Sequence, residues 1–420
     1  MRRLWAVVLI TIMTVLITSC GSRKSKDGHR EISWTPEGTL TLALRSGTYA
    51  DVIEESLTDF EEETHIYCNI VRLSEDELHS GVLEDAGNDV GAYDICLVDG
   101  SWMAEYTDKN VLLNLSDYGY EPDDDIIPDT KEICYHNGAV YLAPYYGNVT
   151  ILLYNKRLAK AAGYENGEIG SLDDMMEICR YAEKHRNLGF LYRGDTPNNI
   201  VVDFLPILLS YGGWVVDENN NPTVDTPEFH EAMEYYLDLI STGKAETKDN
   251  LILAIANQAA AMGVGWPGWY TPERNGQADY AAITGKVHDD SKAYNANVYG
   301  IWAIGVTANS SNKENAVKLL KYLMDPAVQK ATVAYGGVPC RYSSLNDPEI
   351  LEQFPQYIPV CKALEGGVYR PIMAEWTDFY TILGTEMGKI INGDKTTKEG
   401  LSDAQSKLEE MLQSGTEPVR

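Results

Sequence analysis

The chain has 420 residues, a formal net charge of −29, and 44% hydrophobic and 23% charged residues. That length exceeds one ordinary core and suits two, and the balance is that of a folded chain rather than a disordered one. A chain this acidic repels phosphate backbones, which sets nucleic acid aside as a partner.

At the N-terminus, Arg2 and Arg3 precede an apolar run over 4–17, shorter than the ~20 residues a membrane-spanning helix needs. Ile17-Thr18-Ser19-Cys20 resembles the bacterial lipobox, in which the cysteine is lipidated and becomes the first residue of the mature chain. Residues 1–19 are therefore expected to be a lipoprotein signal peptide and 20–38 a small, polar tether. Cys20 would carry the palmitate and hold an extracytoplasmic protein on the bacterial cell membrane. A plain signal peptide or short anchor helix is the other reading. Of the 7 cysteines the remaining six form no C-x-x-C pair and no zinc spacing with histidine. Cys68, Cys96 and Cys179 lie in apolar stretches and read as small buried hydrophobes, with disulfides left open.

Residues 39–44 alternate Leu40, Leu42 and Leu44 and predict a strand, ended by Gly47-Thr48-Tyr49. Asp51 is placed to cap a helix with Ile53, Leu57 and Phe60 on one face. A strand over 66–73, a helix over 75–83 and a buried strand over 94–99 follow. This βαβαβ order predicts a mostly parallel sheet, with ligands beyond the carboxyl ends of its strands, where Thr48, Tyr49, Asp99, Ser101 and Trp102 sit. The acidic loop 121–129 lacks a calcium-loop pattern and reads as solvated.

The stretch 141–155, YLAPYYGNVTILLYN, is the centre of this reading. It turns at Pro144, presents Tyr145 and Tyr146, bends at Gly147-Asn148 and enters a buried apolar run. Two buried strands joined by such a bend predict a crossing between two lobes with a ligand beside it. Further on, helices are predicted after Ser171 and Thr226, an aromatic loop over 265–270, a recrossing strand over 298–306, a helix over 313–324 and final helices over 375–391 and 397–412.

Few enzyme motifs are present. Residues 263–268 match G-x-G-x-x-G, but Trp266, Pro267 and Trp269 crowd the loop and no long helix follows, so the match is set aside. His230-Glu231-Ala232-Met233-Glu234 lacks the second histidine of a zinc helix, and no nucleophile elbow exists. No metal site, catalytic residue or cofactor is assigned. What stands out is aromatic residues in loops beside planar polar groups. Rings stack on the C–H faces of sugars while Asp, Asn, Glu and Arg pair with hydroxyls. The expected ligand-binding set is Tyr49, Asp99, Trp102, Tyr146, Asn148, Trp266, Trp269, Trp302, Arg341, Glu375 and Trp376. About half of the aromatics are expected to fill cores, Trp302 first among them because it lies within a strand run.

The ordered set of stretches 39–64, 92–118, 137–163, 257–269, 311–329, 336–349 and 370–376 (RPIMAEW) resembles family 1 extracellular solute-binding proteins, the maltose-binding-protein-like receptors of ABC importers. The resemblance spans about 39–412. It implies an α/β, two-lobed periplasmic-binding-protein-like (type II) fold with discontinuous lobes and an interlobe ligand cleft. Lobe one would take 39–144 and 302–344, lobe two 150–298 and 345–412, with hinge crossings at 145–149 and 299–301. The chain departs from the family in having Tyr146 and Asn148 where acidic residues are common, which implies stacking in place of a hydroxyl contact. The expected function is a non-enzymatic, monomeric receptor that delivers a carbohydrate, an oligosaccharide on this reading, to an ABC permease. The alternatives are the same fold holding a polyol, peptide-like or charged solute, a surface glycoside hydrolase, or a sensor subunit feeding a membrane kinase.

Overall fold

The computed structural model describes residues 32, 34–164, 169, 171–269, 277–286 and 293–414. The expected signal peptide, Cys20, most of the tether and Tyr270 lie outside these residues. Among the described residues no helix is long and apolar enough to cross a membrane.

Two five-stranded sheets organise the molecule. In chain order the strands are β1 (Gly38–Arg45), β2 (Ile66–Leu73), β3 (Ile95–Asp99), β4 (Leu142–Tyr146), β5 (Ile151–Asn155), β6 (Leu188–Tyr192), β7 (Lys244–Ala245), β8 (Ala260–Gly265), β9 (Ala278–Ala281), β10 (Val298–Tyr299), β11 (Trp302–Val306) and β12 (Val368–Tyr369). The first sheet runs β2-β1-β3-β11-β4 and the second β9-β5-β8-β6-β7. β1, β2 and β3 are parallel, as the βαβαβ order requires, but β11 is antiparallel to both β3 and β4, so the sheet is mixed.

β1 lies inside the sheet between β2 and β3, and Leu40, Leu42, Ala43 and Leu44 are all fully buried. Burying a leucine stabilises by about 2 kcal/mol, which fixes the strand's position. The following helix, α1 (Thr48–Thr64), starts earlier than expected: Gly47 is its N-cap, and Asp51 lies in its first turn, paired with Arg72 at 2.8 Å. α2 (Glu75–Asp85) opens with a Ser74–Glu77 capping box. Pro144 is no turn. It stands inside β4, opposite Ala303, and β4 is a sheet edge, where a residue without an N–H is tolerated.

The chain passes from the first sheet to the second between β4 and β5. It returns through β10 into β11. A third passage runs through β12, which pairs with β10, while Val149 bridges Tyr299. Residues 345–364, expected with the second lobe, pack through Leu345, Ile350, Val360 and Leu364 into the core under the first sheet. The second core gathers around α3 (Pro197–Ser210) and α5 (Trp376–Ile391), with α4 (Lys248–Ala256) between β7 and β8 in sequence. The last helix, α6 (Thr397–Ser414), docks on α5. There Glu386, almost wholly buried, takes the ammonium groups of Lys389, Lys395 and Lys407 at 2.7, 2.5 and 2.5 Å. The six cysteines of the described residues are buried free thiols.

Candidate functional site

A cavity of about 470 Å³ lies between the two lobes, lined by residues of both, a size suited to a small-molecule ligand. The first wall comes from the carboxyl ends of β1 and β3 and the start of α1. The Arg45 guanidinium lies 4.7 Å from the Tyr49 ring centre and 5.0 Å from that of Trp302, and pairs with Glu75 at 2.8 Å. Tyr49 leans on Tyr146, ring centres 4.8 Å apart. Burial is the main cause that pushes the Tyr49 hydroxyl up to about 12, so it stays a neutral donor.

At the floor, Asp99 receives the Ser101 N–H and hydroxyl and the Arg370 guanidinium, the last at 2.6 Å, all on Oδ1. Burial alone would raise the Asp99 pKa, but Arg370 and Ser101 outweigh it and hold the carboxyl below its usual range. Arg370 also donates to the Tyr299 carbonyl, tying the end of β3 to the crossing strands. Asn148 donates through Nδ2 to the Tyr49 hydroxyl at 3.1 Å. Its Oδ1 is buried and has no partner among the described residues. A carbonyl so placed costs about 1–3 kcal/mol unless something donates to it, and a ligand hydroxyl would serve. The Tyr146 hydroxyl is committed to the Gly336 carbonyl at 2.7 Å, leaving the ring for the cavity.

The opposite wall carries Trp266 and Trp269 after β8, Arg193 after β6, Asn198 and Asn199 at the start of α3, and Lys248 at the start of α4. Arg193 pairs with Asp203, donates to Asn199 at 2.7 Å and lies 5.0 Å from the Trp269 ring centre. Lys248 approaches the same ring at 5.7 Å. Glycines let the rings close in. A Cβ on Gly268 would run into the Tyr146 hydroxyl, and one on Gly300 would lie 2.6 Å from the Trp266 ring. At Gly268 the G-x-G-x-x-G match therefore reflects ring packing.

Tyr49, Asp99, Tyr146, Asn148, Trp266, Trp269 and Trp302 line the cavity together. Four other expected residues do not. Trp102 sits behind Trp302, edge-on at 5.4 Å, and supports it. Arg341 is held by Asp123 and Asp125 of the acidic loop at 2.8 and 3.1 Å, and donates to the Met324 carbonyl, so its charge is neutralised away from the cleft. That loop is accordingly a counter-ion rather than merely solvated. Trp376 is buried in the second core, stacked on Phe379 at 5.5 Å. Glu375 precedes α5 as its N-cap and is absent from the lining.

The sequence reading missed the charged members: Arg45, Glu75, Arg193, Lys248 and Arg370. A signal existed for two. Arg45 and Arg193 stand at or just beyond the carboxyl ends of buried strands, where ligand contacts concentrate. Among the described residues no group of three or more His, Cys, Asp or Glu gathers as a metal site.

The family model described as bacterial extracellular solute-binding protein matches residues 45–330. A curated relative, "Probable amino-acid ABC transporter periplasmic-binding protein y4oP" of Sinorhizobium fredii, is 24% identical over 408 residues, covering 92% of this chain and 93% of its own. Among solved structures, maltose-bound MalE3 of T. maritima superposes with a TM-score of 0.78 at 21% identity, over 89% of this chain and 100% of that one. A solute-binding protein of Agrobacterium radiobacter K84 in complex with ribitol gives 0.77 at 21% identity, over 90% and 99%. With two α/β lobes enclosing a lined cleft and a family match across most of its length, this chain belongs to the bacterial extracellular solute-binding proteins, the ligand-capturing components of ABC transporters.

Proposed function

We propose that the cleft captures a carbohydrate or a related polyol and presents it to an ABC permease without transforming it. The observation that carries this is the facing of two aromatic walls across a polar floor. Tyr49 and Trp302 stand on one side, Trp266 and Trp269 on the other, with the unpartnered Asn148 carbonyl and the Asp99–Arg370 pair between them. Rings supply stacking for C–H faces, and the floor supplies a donor and an acceptor for hydroxyls. The maltose and ribitol named for the two structural neighbours agree with this chemistry. We read the protein as a monomer held extracytoplasmically by lipidated Cys20. An oligosaccharide would use both walls at once. The curated relative named for amino acids supports a second reading, in which the floor's arginine and carboxylate receive the two charged ends of an amino acid.

The test is thermal unfolding against a panel of sugars, polyols and amino acids. Ligand at 100 times its Kd adds about 2.7 kcal/mol, raising Tm by roughly 2–4 °C. A sugar or polyol shift that Trp269→Ala removes is the expected result. A shift with amino acids alone would replace this reading with the second, and release of a hydrolysed glycoside would replace it with an enzyme.

A further inference from the structure

We infer that the captured ligand is an anionic carbohydrate, a hydroxyl-rich ring bearing a carboxylate or phosphate, whose negative group lies at Trp269 between Lys248, Arg193 and Arg45. This rests on the carbohydrate reading above and deepens it. The cavity wall carries four cations, Arg45, Arg193, Lys248 and Arg370, in a chain whose net charge is −29. Arg45, Arg193 and Arg370 have counter-charges, in Glu75, Asp203 and Asp99 respectively. Lys248 has no ion-pair partner among the described residues, although it stands over the same tryptophan ring as Arg193. Asp195, the remaining carboxylate of the lining, is exposed at the rim and takes the Asn199 amide.

The three cations come from both sides of the cleft, Arg45 from β1 and the other two from the second lobe. Burial lowers the Lys248 pKa most; Asp249 opposes this, and the charges of Arg45 and Arg193 add to it. Like charges converging on one space repel, and an anion placed among them turns that repulsion into attraction for both walls. The backbone agrees. α1 and α4 both begin at the cavity; Gly47 has no side chain with which to cap α1, and Thr247 makes no side-chain cap at α4. An anion there would add to the favourable interaction that the first-turn Asp51 and Asp249 already make with the positive helix ends. The buried Asn148 Oδ1, which lacks a donor, would accept from a hydroxyl of the same ligand.

The experiment is calorimetric titration of the purified protein with matched pairs: glucose and glucuronate, galactose and galacturonate, the corresponding neutral and acidic dimers, and glucose with glucose 6-phosphate. The acidic member of at least one pair is expected to bind about tenfold or more tightly than its neutral partner, and to weaken as salt is raised. Whether the uronates or the phosphate respond identifies the anion. Lys248→Gln should weaken the acidic ligand about tenfold and so narrow its advantage over its neutral partner. Neutral sugars that bind as tightly as their acidic partners would overturn the inference while leaving the carbohydrate reading standing. A panel in which no sugar of either kind binds and an amino acid does would overturn both.

Discussion

Arg341 and Trp376 carry the plainest lesson at the scale of single residues. Both have side chains that suit a sugar, and both are buried in structural roles. Arg341 is 1% exposed and reaches Asp123, Asp125 and the Met324 carbonyl. Removing it would leave the acidic loop without its cation and a main-chain carbonyl without its donor. Arg341→Ala should therefore destabilise the protein by about 2–4 kcal/mol. Urea unfolding would measure that loss, and a ligand titration beside it should show an unchanged Kd. A large loss of affinity in a still-folded variant would instead return Arg341 to the binding role. Trp376 could have been placed from the sequence. Trp376, Phe379, Leu383, Met387 and Ile390 recur at steps of three and four, which is a helix face turned to a core. Trp266 and Trp269 are three apart but no apolar face continues their spacing; they sit among glycines and proline, and line the cleft. The charged lining was illegible for another reason. With 34 lysines and arginines in the chain, nothing local distinguishes Arg370 from a solvated arginine until the fold sets it against Asp99.

At the scale of elements, the reading was good where burial is periodic and poor where tertiary contacts decide. β1, β3, β5 and α1 follow from their apolar spacing. The antiparallel entry of β11 between β3 and β4 does not, because strand direction within a sheet leaves no mark on a five-residue apolar run. Pro144 misled for the same reason: a proline breaks a central strand, yet β4 is an edge. The α5–α6 junction makes a test of its own. The Glu386 carboxyl is buried, which alone would raise its pKa, but three lysines outweigh that and hold it down to about 2. A carboxyl lowered in the folded state stabilises fully above its unfolded pKa, and that contribution is lost as pH falls towards 2. Glu386→Gln should thus lower stability at neutral pH by about 1–3 kcal/mol and flatten the acid limb of the stability curve below about pH 4.5. Denaturant midpoints taken from pH 7 to 2.5 would show it. A variant that tracks the parent across that range would mean the lysines are held by solvent instead.

At the scale of the whole molecule, three passages of chain cross side by side between the sheets, β10 pairing with β12 and Val149 bridging Tyr299. Such a narrow waist, with the cleft beside it, suits a hinge. Small-angle X-ray scattering should show the radius of gyration falling when ligand is added. Gly300→Ala should blunt that response, since the new Cβ would press on the Trp266 ring at 2.6 Å and hold the aromatic wall away. Equal compaction in the variant would separate Gly300 from the movement. The two-lobed form and the crossing at 141–155 were legible because an ordered series of short stretches carries them. The third passage was not, since Val368–Tyr369 is too short to announce itself.

The position of β11 also governs how the molecule can be made. It lies inside the first sheet, between β3 and the edge strand β4, yet it is the last of that sheet's strands in the chain, and Ala303 pairs with Val98 across some two hundred residues. Until it arrives, β3 and β4 have no common neighbour and their main-chain donors and acceptors stand open to pairing with other chains. The second lobe's strands, β5 to β9, all precede it. Assembly is therefore ordered: the first sheet waits for a strand from the far side of the second lobe's strands and closes slowly, as distant pairings do, and the second core waits longer still, for α5 and α6. A polypeptide emerging N-terminus first spends that interval with an unfinished sheet, its open strand edges exposed to pairing with other chains.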